Sequence, residues 1–68
     1  MAKIEIDVTL IATTDLAFKV RSVVGEGWAP RRGNSFEPEN RAPENRWKLP
    51  LEGVLTVYET MAHEKGLI

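Results

Sequence analysis

Between Lys3 and Leu10 the chain alternates without a break. Ile4, Ile6, Val8 and Leu10 are apolar, and Glu5, Asp7 and Thr9 stand between them. Successive side chains of a strand point to opposite faces, so this pattern makes one face dry and the other wet. A strand over Lys3–Ala12 is expected. Thr13-Thr14-Asp15 supplies turn chemistry. Leu16, Phe18, Val20 and Ser22 then alternate with Ala17, Lys19, Arg21 and Val23. That reads as a second, antiparallel strand. A helix capped by Asp15 is its rival over Leu16–Val24, and the β-branched Val23-Val24 pair favours the strand.

Gly25-Glu26-Gly27 marks a tight turn, and Trp28 to Arg32 reads as a short third strand. Pro30 has no backbone donor and confines that strand to an edge. Residues 33–50 read as one long polar loop, with a tandem repeat: Pro38-Glu39-Asn40-Arg41, then Pro43-Glu44-Asn45-Arg46. Loops beyond ~12–15 residues are uncommon in small domains and are often functional or disordered. Gly53–Val57 reads as a fourth strand and Tyr58–Lys65 as a helix. Thr56 and Glu59 have the spacing of a capping box, and Gly66 with Leu67 that of a Schellman stop. The expected fold is mainly β (α+β): three or four antiparallel strands in a sheet or small barrel, with one C-terminal helix. Met61 and Leu67 should face the sheet.

With 68 residues, the chain allows one domain, residues 1–68. A domain this small buries only about 60% of its unfolded surface, so packing or self-association must hold it. There is no Cys for a disulfide, and His63 is the only His. Neither a metal site nor a cofactor is expected, and a homodimer stays open. No apolar run reaches the ~20 residues of a membrane span. The first residues mix charge with apolar groups and lack a signal-peptide core, so a cytoplasmic location is expected.

The end of the chain resembles a group of small phage and prophage proteins. Its carriers are Gly53-Val54-Leu55-Thr56-Val57, the short helix and the closing Glu64-Lys65-Gly66-Leu67-Ile68. Trp28-Ala29-Pro30 stands where those proteins have Trp-Leu-Pro, after Thr14-Asp15-Leu16-Ala17-Phe18-Lys19-Val20. The similarity spans Thr14–Arg32 and Gly53–Ile68. Residues 33–50 are longer than it implies, and Tyr58 and Thr60 replace a common Pro and Trp. The resemblance implies a small β-meander or barrel with a C-terminal helix, working in the cytoplasm of a bacterial host. It implies no catalytic residue.

Catalysis finds no constellation. His63 can pair with Glu59 one turn away, which is ordinary helix chemistry, and Ser22 and Ser35 have no evident base. Gly25-Glu26-Gly27 lacks the spacing of a phosphate loop. Charge is unevenly placed. Residues 19–48 hold seven basic and four acidic side chains, and the rest of the chain two and six. Trp and Arg are the types most enriched at binding hot spots. Trp28, heading a strand, reads as core. Trp47, between Arg46 and Lys48, reads equally as an exposed anchor or as the residue that pins the loop.

Two functions follow as expectations. The first is a non-enzymatic, phage-type inhibitor or modulator of a host protein or ribonucleoprotein complex, such as a defence system of the CRISPR kind or transcription. Its contact surface would be Arg31, Arg32, Arg41, Arg46, Trp47 and Lys48. The alternative is a single-stranded nucleic-acid binder using Lys19, Arg21, Trp28 and Arg31.

Overall fold

The computed structural model describes residues 2–68. It holds five strands: β1 (Lys3–Thr13), β2 (Ala17–Arg21), β3 (Glu26–Pro30), β4 (Ser35–Pro38) and β5 (Leu51–Tyr58). One short helix, α1 (Glu59–Glu64), follows β5. The strands form one antiparallel sheet in the order β3-β2-β1-β5-β4. The mainly β expectation holds, with one strand more than expected and the sheet left open between β3 and β4.

The alternation read in Lys3–Leu10 sets the two faces. Ile4, Ile6, Val8 and Leu10 pair with Val57, Leu55, Gly53 and Leu51 on the inner face. Phe18 and Val20 of β2, Ala29 of β3 and Phe36 of β4 extend it, and nearly all of these are buried. Phe18 and Phe36 stand on strands three places apart. In a flat sheet that separation would be about 14 Å. Their ring centroids are 6.2 Å apart. The sheet therefore curls tightly around its inner face. A bulge between Leu10 and Ala12 helps, by bending β1 as it leaves β5 and joins β2.

Two hydroxyls build the first two turns in the same way. Thr14 Oγ1 accepts from the backbone N–H groups of Leu16 and Ala17, at 3.3 and 3.1 Å. Ser22 Oγ accepts from Val24 and Gly25, at 3.2 and 3.3 Å. Each hydroxyl closes a turn with two residues at its tip. The β2–β3 turn therefore lies at Val23-Val24, ahead of the expected Gly25-Glu26-Gly27. The glycines serve another purpose. A Cβ on Gly25 or Gly27 would come within 2.9 Å of the carbonyl oxygen of Gly66 or Lys65. Bare glycine lets the C-terminal segment lie against this hairpin.

That segment closes one end of the core. α1 starts at Glu59, with Tyr58 at its N-cap and no side-chain cap, so the Thr56–Glu59 box does not form. At its end Gly66 takes φ 70°. Gly66 N–H donates to the His63 carbonyl and Leu67 N–H to the Ala62 carbonyl, at 3.1 and 2.9 Å. This is the expected Schellman stop. It turns Leu67 inward, where it is 1% exposed, while Met61 packs against the core's margin. Ser22 Oγ also donates to the Leu67 carbonyl at 2.8 Å, tying the tail to the hairpin.

Residues 33–50 are not one loop. Phe36 and Pro38 anchor β4, and each Pro-Glu-Asn-Arg copy closes a turn from its Arg N–H to its Pro carbonyl. Arg41 N–H donates to the Pro38 carbonyl at 3.0 Å, and Arg46 N–H to the Pro43 carbonyl at 2.8 Å. The second copy forms a single 3₁₀ turn, Glu44–Arg46.

Candidate protein-binding face

Trp47 leaves that 3₁₀ turn and packs against Phe18 and Phe36, with centroid distances of 6.3 and 5.4 Å. Its Nε1–H donates to the Ala42 carbonyl at 2.9 Å. Of the two roles open to it, Trp47 takes the one that pins the segment. It is not an exposed anchor.

Arg31 is drawn into the same group. Its guanidinium lies 4.5 Å from the Phe18 ring centroid and makes an ion pair of 2.8 Å with Glu44. Its Nε also donates to the Thr14 carbonyl. The hydrogen bond from Arg31 holds the Glu44 carboxyl below its ordinary range, and the same bond raises the Arg31 guanidinium. The expected Arg/Trp contact surface is thus divided. Trp47 and Arg31 serve the fold. Arg41 lines the outer face, and Arg32, Arg46 and Lys48 are exposed, the last two on either side of Trp47.

Trp28 shows the opposite correction. It is 42% exposed on the outer face, with Lys19 Nζ 5.8 Å from its ring centroid. Ala29 is the buried residue of β3. Strand alternation then sends both Trp28 and Pro30 outward. Lys19 and Arg21 share this face, and Arg21 is paired to Glu26 at 3.0 Å. Of the four residues expected to hold nucleic acid, Arg31 is thus apart from the other three.

The rest of the outer face is acidic. A trough of about 830 Å³ crosses it from the β2–β3 turn over β1 and β5 to β4. Glu5, Asp7, Glu37, Glu39 and Glu52 line it, with Val54 and Thr56 on its floor. Cross-strand pairing explains the cluster. Asp7 and Glu37 flank Val54, Glu5 faces Thr56, and Glu52 faces Thr9. Among the described residues none of the five carboxylates is in an ion pair. Arg21 and Arg41 are the cations of the lining, and Arg21 is already engaged. The net negative charge of the sequence gives no hint of this. The acids are scattered along the chain, and only the strand order gathers them.

Among the described residues no three potential ligands come together for a metal ion, and no helix is long and apolar enough to cross a membrane. Comparison with protein-family models, curated proteins and solved structures gives no match.

Proposed function

We propose that this chain is a non-enzymatic binding protein whose outer sheet face engages a protein partner. The observation that carries this is the trough of five carboxylates without ion pairs, with an exposed Trp28 on the same outer face beyond β2. Complementary charge guides encounter and sets register, and a half-exposed Trp supplies the apolar anchor typical of a hot spot. The partner surface is therefore basic, with a recess for the indole. The resemblance to small phage proteins supports a partner from a bacterial host complex, such as defence or transcription machinery. Phosphate backbones are disfavoured on this face, because carboxylates repel them.

The test begins with affinity capture from nuclease-treated host lysate, followed by titration of the purified partner. Trp28→Ala and Glu37→Lys should each weaken binding by about tenfold or more. Full affinity in both variants would overturn the assignment of this face. Capture that disappears with nuclease would replace it with the nucleic-acid reading.

A further inference from the structure

β1 is paired on both sides only at Thr9 and Leu10. Its residues Lys3 to Val8 pair with β5, but β2 reaches no further than Arg21 opposite Thr9 before turning away at Ser22. No other described segment makes a backbone hydrogen bond to that side of β1.

The alternation of the ladder says which groups are left open. Glu59 N–H donates to the Ala2 carbonyl, so Ala2 directs its backbone groups toward β5. By the two-residue period Ile4, Ile6 and Val8 do the same, and Lys3, Glu5 and Asp7 direct theirs to the open side. Three residues thus offer N–H and C=O groups to an incoming strand.

The two outer edges of the sheet are guarded differently. Arg31 N–H donates to the Leu16 carbonyl, which places the missing donor of Pro30 on the free edge of β3. Glu39 N–H donates to the Glu52 carbonyl, which places that of Pro38 on the free edge of β4. Proline at an edge blunts strand addition. The open side of β1 has no proline. Its side chains are Glu5 and Asp7 with Lys3 on the outer face, and the half-buried Ile4 and Ile6 on the inner one.

We propose that the Lys3–Asp7 edge of β1 receives an extended segment of the partner as a sixth strand, with cationic and apolar side chains in alternation. This rests on the sheet-face reading above and names what would fill it. The cationic side chains would meet Glu5, Asp7 and the trough beside them, and the apolar ones would extend the row of Ile4 and Ile6. Strand addition draws affinity from the main chain and specificity from alternate side chains. A second copy of this chain fits less well. The symmetric register that sets Lys3 against Asp7 also sets Glu5 against itself, and like charges directly opposite are unfavourable.

Residue-resolved amide exchange on the whole chain tests this. In the free protein the amides of Ile4, Ile6 and Val8 should be protected and those of Lys3, Glu5 and Asp7 should exchange fast. A strand-length peptide of alternating lysine and valine should slow the latter three by about tenfold or more. The same peptide, N-methylated on alternate residues at the pairing edge, should not. Asp7→Lys should weaken the unmethylated peptide by a similar factor. Equal binding of both peptides would reduce the effect to charge alone and overturn the proposal. So would edge amides that stay fast with peptide, or that slow with protein concentration in its absence, which would mark a dimer. If the edge stays fast while the partner still depends on Trp28 and Glu37, the sheet face stands and strand addition fails.

Discussion

Trp47 meets the Phe36 ring nearly edge-on, at an interplanar angle of 82° and a centroid distance of 5.4 Å. This contact joins the segment after β4 to the inner face and packs Trp47 against the core. Trp47→Ala should lower unfolding stability by about 3 kcal/mol, within the range for large aromatic truncations. Trp47→Phe keeps a ring but loses the bond to the Ala42 carbonyl, for about 1 kcal/mol. Urea denaturation followed by circular dichroism measures both, and an unchanged midpoint for Trp47→Ala would refute this role.

Trp28 should behave in the opposite way. Its ring lies on the solvent side of β3, so Trp28→Ala should change stability by no more than about 0.5 kcal/mol. The same denaturation curves, run beside the binding titration, separate a folding role from a contact role.

Gly53 is a glycine because nothing larger fits. A Cβ there would press on the Glu37 carbonyl oxygen, Phe36 Cζ and Pro38 Cα of the neighbouring strand. Two of these are backbone atoms and cannot swing aside. Gly53→Ala should therefore cost about 2 kcal/mol by overpacking, despite alanine's lower chain entropy when unfolded. A thermal midpoint equal to the parent's would contradict it.

Removal of Lys65–Ile68 should destabilise the domain, since it takes the buried Leu67 out of the core and removes the Leu67 carbonyl that accepts from Ser22 Oγ. Leu67→Ala isolates the buried side chain from the rest of the tail and should cost about 3 kcal/mol. If the deletion and the point variant melt like the parent, the tail is not part of the core.

Glu44 gives a pH signature. Its carboxyl is held below the ordinary value of 4.5 by the hydrogen bond from Arg31. A group whose folded pKa is lowered adds stability above its unfolded value and loses it as pH falls through the folded one. The pair is partly exposed, so the contribution is at most about 1 kcal/mol after solvent screening. Glu44→Gln should be slightly less stable than the parent at neutral pH, and the difference should vanish in acid. A difference that persists below the carboxylate range would assign the effect to packing.

Much of the fold was legible because strand alternation is local. β1, β5, the helix and its Schellman stop follow from residues adjacent in the chain. β4 was hidden for a physical reason. It is four residues long, only Phe36 and Pro38 of them face inward, and both lie within a stretch dominated by polar residues. Trp28 left its expected core role for a related reason. A strand's period shows that neighbours face opposite ways, but not which set faces the core. In β3 that was decided by Phe18 and Val20 on the partner strand, opposite which only Ala29 and Gly27 fit.

The sequence by itself determined that this chain makes a mainly β domain with one wet face, and where its helix stops, because these depend on side-chain period and local turn chemistry. Tertiary structure alone decided what the wet face carries. The strand order β3-β2-β1-β5-β4 brings Glu5 and Asp7 beside Glu37 and Glu52 from the second half of the chain. The length of β2 leaves half of β1 without a neighbour on one side. Both are consequences of long-range pairing, which no local pattern of residues encodes.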